Sequence, residues 1–156
     1  MGIDKDQLRI EVIRPVLMTL NLYNENAEEL MMGTAAQESG LGTYIRQIEG
    51  PARGIFQCEL KTYDSIWNKY IGNNRAMQLK VLPLIGITTK PPFHRLMTDM
   101  NLAAVICRLH YWDIKIPLPS KLDIHAMGKY WDDYYNRNPV KGTVDEFIKN
   151  YDRYVR

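Results

Sequence analysis

Apolar residues recur with helical spacing along most of the chain. Leu8, Val12, Val16 and Leu20 repeat every fourth position, which predicts a helix over Asp6 to Leu20. Pro15 cannot donate to a carbonyl four residues back, so a kink or two short helices is expected there. Asn24 or Asn26 can cap a second helix running through Glu28, Glu29, Leu30, Met31, Met32, Ala35 and Ala36. Gly40 and Gly42 end it and open a loop that carries the turn signal Gly50-Pro51. Within that loop, Tyr44 to Ile48 and Gly54 to Gln57 suit a small hairpin. Further helices are expected over Leu60 to Tyr70 and Arg75 to Leu84, with Pro91-Pro92 closing the linker that follows. Asp99 to Trp112 carries a long stripe of Leu102, Val105, Ile106 and Leu109, broken by Pro117 and Pro119. Ser120 is the expected cap of a helix with Leu122, Ala126, Tyr130 and Tyr134 on one face. After a break at Asn138-Pro139 and Gly142, Thr143 and Glu146 have capping-box spacing ahead of Phe147, Ile148 and Tyr151. The pattern predicts a mainly α protein, a single domain over residues 1–156 with about seven helices and a small β-hairpin or irregular loop region near residues 44–57.

Composition narrows what such a domain does. Hydrophobic residues make up 46% of the 156 and charged residues 24%, the balance of a folded chain with its own core. Net charge is only +2, and Lys141, Lys149, Arg153 and Arg156 are scattered among apolar and acidic residues. No basic recognition helix is visible, so nucleic acid is not an expected partner. Cys58 and Cys107 make neither a disulfide scaffold nor a metal pattern, and His94, His110 and His125 lack metal-ligand spacing, so no metal or other cofactor is expected. No apolar run approaches the ~18 residues of a membrane span. The charged start, Met1 to Asp6, does not lead into a signal peptide, so synthesis in a cytoplasm is expected, with delivery to any outside target by other means. Ten Tyr and three Trp supply rings for packing or for a sugar-binding cleft. No helix shows a surplus hydrophobic seam, and a monomer is expected.

Glu38 carries the chemistry. Ala35, Thr34 and Met31 precede it on its own helix face, so its carboxyl meets an apolar or weakly polar wall. Loss of hydration there raises its pKa, the property a general acid needs to protonate a glycosidic oxygen near neutral pH. A plain surface glutamate at a fraying helix end is the alternative reading. In Gly54-Ile55-Phe56-Gln57 the glycine permits close backbone approach, and buried Ile and Phe can hold the Gln57 amide beside the acid.

The stretch Gly33-Thr34-Ala35-Ala36-Gln37-Glu38-Ser39-Gly40-Leu41-Gly42 resembles the Glu-Ser motif of the lysozyme-like superfamily, in the group of soluble lytic transglycosylases and goose-type lysozymes. Gly54 to Gln57 with downstream Thr62 resembles that group's second motif, and Asp99, Asn101 and Ala104 its third block. The likeness is strongest to small phage-encoded members and spans residues 8–150, its specific motifs lying between 30 and 67. It implies a lysozyme-like fold, Glu38 as catalytic acid, and Ser39 and Gln57 as substrate-binding residues, with Ser39 orienting either a sugar or the local backbone. The group's later Ala-Tyr-Asn-Gly-like segment is not reproduced cleanly. In Tyr130-Trp131-Asp132-Asp133-Tyr134-Tyr135-Asn136, either Tyr134 or Tyr135 is the substitute that would line the cleft.

The implied substrate is the glycan strand of peptidoglycan, cut at the MurNAc-GlcNAc β-1,4 bond. A second carboxylate would serve hydrolysis, as in a muramidase, and Glu49 is the candidate in the loop facing the acid; Glu59, Asp64 and Asp99 suit helix starts and surfaces better. Without one, Glu38 acts as acid and then base, and the product is a 1,6-anhydro ring. Chitin hydrolysis and a non-catalytic structural or wall-binding role in a phage particle are the rivals. Either an endolysin released at lysis or a virion component would act on the wall in the periplasm, with other phage virion or lysis proteins as possible partners.

Overall fold

In the computed structural model, which describes residues 1–136 and 142–156, the chain is mainly helical. Asn138, Pro139 and Lys141 lie outside the described residues. Asp4 starts the first helical run by accepting from the N–H groups of Asp6 at 3.0 Å and Gln7 at 3.1 Å. Helix α1 (Lys5–Gln7) passes through a π-helical segment, Leu8–Ile13, into α2 (Arg14–Thr19). The interruption at Pro15 thus takes the form of two short α segments joined by a wide turn. Pro15 sits in the first turn of α2, and the wider pairing ahead of it relieves the clash its ring would make in a continuous α-helix.

Helix α3 (Glu25–Ser39) begins at Asn24, whose side chain accepts from the Ala27 N–H at 2.7 Å, while Asn26 accepts instead from the Lys121 N–H at 2.9 Å. Ala27, Leu30, Met31, Met32, Thr34, Ala35 and Ala36 are all buried, so the middle turns of the helix are almost wholly shielded from water. Its first turns are held by ions. Arg9 binds both Glu28 and Glu29, Arg14 binds Glu28 at 2.6 Å, and the Tyr151 hydroxyl donates to Glu29.

Helix α4 (Leu60–Trp67) continues into a π segment, Asn68–Gly72; α5 (Arg75–Ile85) and a short 3-10 turn (Phe93–Met97) follow. Helix α6 (Met100–Trp112) is capped by Asp99 and buried from Leu102 to Tyr111, as its apolar stripe predicts. Helix α7 (Ile124–Tyr134) departs from expectation. Asp123, not Ser120, is its cap, accepting from the Ala126 N–H at 2.9 Å, while the Ser120 hydroxyl accepts from the Leu122 N–H in a turn before the helix. Leu122 is exposed, and the buried stripe runs through Met127, Tyr130, Trp131 and Tyr135. Helix α8 (Val144–Tyr154) starts at Thr143, whose hydroxyl accepts from the Glu146 N–H. With segments joined by π turns taken together, seven helical runs share one hydrophobic core among the described residues. The loop between α3 and α4 holds only isolated antiparallel bridges, Arg46 with Arg53 and Arg53 with Cys58. Cys58 and Cys107 are buried and are not joined in a disulfide.

Phe147 of α8 fits between two glycines. A Cβ at Gly33 would stand 2.5 Å from the Phe147 Cζ, and one at Gly128 would stand 3.2 Å from its Cδ1. Phe147 is completely buried and cannot swing aside. Gly33→Ala would gain up to about 1 kcal/mol of helix propensity but lose roughly 1–3 kcal/mol to overpacking. A net loss is expected, seen as a Tm lower by ~2–4 °C for each kcal/mol lost in thermal unfolding; an unchanged or higher Tm would show that α3 and α8 are not packed this closely.

Candidate active site

Glu38 is the penultimate residue of α3, and the helix stops just beyond it because Gly40 turns left-handed at φ 58°. The chain then has to loop back beside the carboxyl. Ser39 makes it do so. Its hydroxyl donates to the Ile55 carbonyl at 2.6 Å and accepts from the Gly42 N–H at 2.9 Å, joining both ends of the loop to the helix. Ser39 is buried and does not line the cleft. Of the two roles expected for Ser39, a sugar contact or the local backbone, its hydrogen bonds fit the second, because its hydroxyl donates to one backbone group and accepts from another.

Gly54 brings the return strand in under Leu96, whose carbonyl oxygen would lie 2.6 Å from any Cβ there. Its φ of 84° adds a second reason for glycine. Ile55 and Phe56 are buried, and Gln57 beside them lines the cleft. The Gln57 side chain donates from Nε2 to the Gly54 carbonyl at 2.9 Å, which leaves its Oε1 as the acceptor available to a ligand. Three non-glycine residues of this loop, Leu41, Glu49 and Gln57, hold positive φ. Backbone strain is thus concentrated along one rim of the site.

Across the cleft, Tyr135 donates its hydroxyl to the Phe56 carbonyl at 2.6 Å, and its ring packs against His110 at 4.7 Å. Tyr134 does not reach the cleft. It packs on Tyr130 at 4.8 Å, so the choice between the two tyrosines falls on Tyr135, about one hundred degrees further round the helix. The space enclosed is about 490 Å³ and is lined by Glu38, Glu49, Gln57, Glu59, Thr62 and Trp131, among others. Asp64 and Asp99 are engaged elsewhere, with Lys90 and at the start of α6. Asn101 donates to the Leu84 carbonyl and Ala104 is core, so the third block serves packing.

Burial pushes the Glu38 carboxyl up to about 8. The Trp131 indole N–H opposes this by favouring the charged form. It approaches the carboxyl without closing a full hydrogen bond, and Nε1 is the one buried side-chain polar atom without a partner among the described residues. Trp131 and His110 were not foreseen in the sequence. The signal for Trp131 was the spacing Met127, Trp131, Tyr135, which marks the buried face of α7; nothing local marks His110. Glu49 and Glu59 are exposed on the rim, the positions from which a carboxylate can hold water. Among the described residues no three of His, Cys, Asp and Glu converge as metal ligands.

No family model matches this sequence, and no characterised protein or solved structure matches it either. The chemistry is therefore argued from the site alone.

A raised carboxyl pKa sets a pH dependence for stability. Below about pH 4.5 Glu38 is protonated in both folded and unfolded chains. Between about pH 4.5 and 8 only the folded chain keeps the proton, so stability falls across that window and levels off above it. Glu38→Gln removes the penalty. The variant should melt with the parent at the acid end and ~3 °C or more above it at the alkaline end. Equal melting temperatures at both ends would mean that the carboxyl is hydrated.

Proposed function

We propose that this protein cleaves the MurNAc-GlcNAc β-1,4 bond of peptidoglycan as a lytic transglycosylase. The observation that carries the reading is a carboxyl kept protonated at neutral pH in a cleft with room for sugars. Glu38 donates its proton to the glycosidic oxygen as the C1–O bond breaks, and the N-acetyl carbonyl of the muramic sugar closes onto C1. The Glu38 carboxylate then takes the proton of the C6 hydroxyl, O6 attacks C1, and the N-acetyl group is released. An anhydro ring forms and Glu38 ends protonated, ready for the next bond. Trp131 favours the intermediate carboxylate through its N–H, and Gln57 offers an acceptor to a sugar hydroxyl or amide.

Hydrolysis in the same cleft is the second reading, supported by Glu49 and Glu59 on the rim. A water activated by either would reach C1 first and leave reducing ends. Both routes place the protein at the bacterial wall, reached through a membrane lesion at lysis or as part of a phage particle.

Glu38→Gln should remain folded and lose about 10²–10⁴-fold in turnover on purified sacculi. Parent activity should fall as the pH rises through about 8, because the competent acid is the protonated form. Mass spectrometry of released muropeptides separates the routes. Anhydro ends with activity retained in Glu49→Gln and Glu59→Gln support transglycosylation; reducing ends support hydrolysis. Full activity in Glu38→Gln would sink both.

A further inference from the structure

Helices α6 and α7 contribute to a second cleft, of about 450 Å³, whose lining includes Asn24, Asn26, Arg108, Trp112, Lys115 and Tyr130. No Asp or Glu lines it. Arg108 is 3% exposed, and no carboxylate forms an ion pair with it among the described residues; residues 137–141, which are outside them, contain no acid. A buried guanidinium without a counter-ion is unusual, because desolvation penalises the charge and no carboxylate offsets it. Only Nε is committed within the protein, donating to the Leu22 carbonyl at 3.0 Å. The four remaining N–H groups, on Nη1 and Nη2, have no acceptor among the described residues, and neither nitrogen is sealed from solvent.

The neighbouring polar groups are donors too. Asn24 Oδ1 accepts from the Ala27 N–H and Asn26 Oδ1 from the Lys121 N–H, which leaves each asparagine's NH2 group as a donor to the cleft. Lys115 adds a second cation, resting with Arg108 near the Trp112 ring at 5.7 Å each. Donors and positive charge converge here without a carboxylate to receive them, beside the flat rings of Trp112 and Tyr130.

We infer that this second cleft binds an oxyanion, a carboxylate or phosphate carried on a flat or apolar body, with Arg108 as its bidentate partner. The planar fork of Arg108 matches either group, Lys115 adds charge, and the aromatic rings cover the body of the ligand. The inference does not rest on the glycosidase reading, since none of these residues lines the Glu38 cleft.

Isothermal titration calorimetry of the full chain with benzoate, benzamide and inorganic phosphate tests it. Benzoate should bind and uncharged benzamide should not. Arg108→Met should weaken benzoate by about 10-fold or more, as expected for loss of a charge-assisted pair. Lys115→Ala, on an exposed residue outside any helix, should weaken it by roughly 2–5-fold. Phosphate that binds and displaces benzoate assigns the site to phosphate-bearing ligands as well; benzoate alone assigns it to carboxylates. If neither anion binds the parent, or if benzamide binds as well as benzoate, the inference is overturned. Should Arg108→Met fail to fold, Lys115→Ala decides, and an unchanged affinity overturns it.

Discussion

The burial of the middle turns of α3 governs the rest of the structure. A helix made of Ala, Leu, Met, Gly and Thr can lose all its water only if neighbours surround it. Ionic contacts from Arg9 and Arg14 fix its first turns, and Phe147 enters at Gly33. The Thr34 hydroxyl, which would otherwise be stranded, donates back to Leu30 and meets the Tyr111 hydroxyl at 2.7 Å. Once the shaft is enclosed, the position of its last turn follows. Glu38 emerges where α7, α6 and the loop toward α4 converge, and the enclosure that stabilises the helix also strips water from the carboxyl.

The site balances two opposed demands. In the proposed reaction the acid is useful because its charged form is disfavoured, yet the reaction passes through that charged form. Trp131 addresses the second demand with a single N–H held close by packing against Phe147. The strained loop opposite is fastened at two points, by Ser39 to Ile55 and by Tyr135 to Phe56. Both bonds end on backbone carbonyls directly before Gln57, so the backbone leading to Gln57 is fixed from the two helices that flank the acid.

A row of rings lies between the two clefts. Tyr111 stacks on Tyr135 at 5.1 Å and packs on Tyr130 at 5.9 Å, with His110 and Tyr134 at its ends. One side of this row faces a carboxyl kept neutral, and the other a guanidinium without a counter-ion. Helices α6 and α7 thus divide one hydrophobic core into two polar environments of different electrostatic character.

Periodicity alone determined most of the helices. Leu8, Val12 and Val16, or Leu102, Val105 and Ile106, define a buried face whatever packs against it, because spacing along a helix is a local property. Glu38 was legible for the same reason: its apolar neighbours lie within two turns of its own helix. Helix α7 was read with its stripe displaced, since Ser120 and Asp123 are both good caps and only the packing of Trp131 against Phe147 selects the later start. The pairing of Tyr135 rather than Tyr134 with the cleft follows from that choice. Whether Ser39 serves a sugar or the local backbone was open in the sequence, because its partners Ile55 and Gly42 are brought to it by the folded loop. His110, Trp131 and the uncompensated charge of Arg108 depend on what lies across a helix interface, and contacts between residues distant in sequence leave no trace in local spacing. The sequence by itself determined the helices and the apolar face on which Glu38 sits; tertiary packing decided which side chains surround that carboxyl, because desolvation and hydrogen bonding act through space.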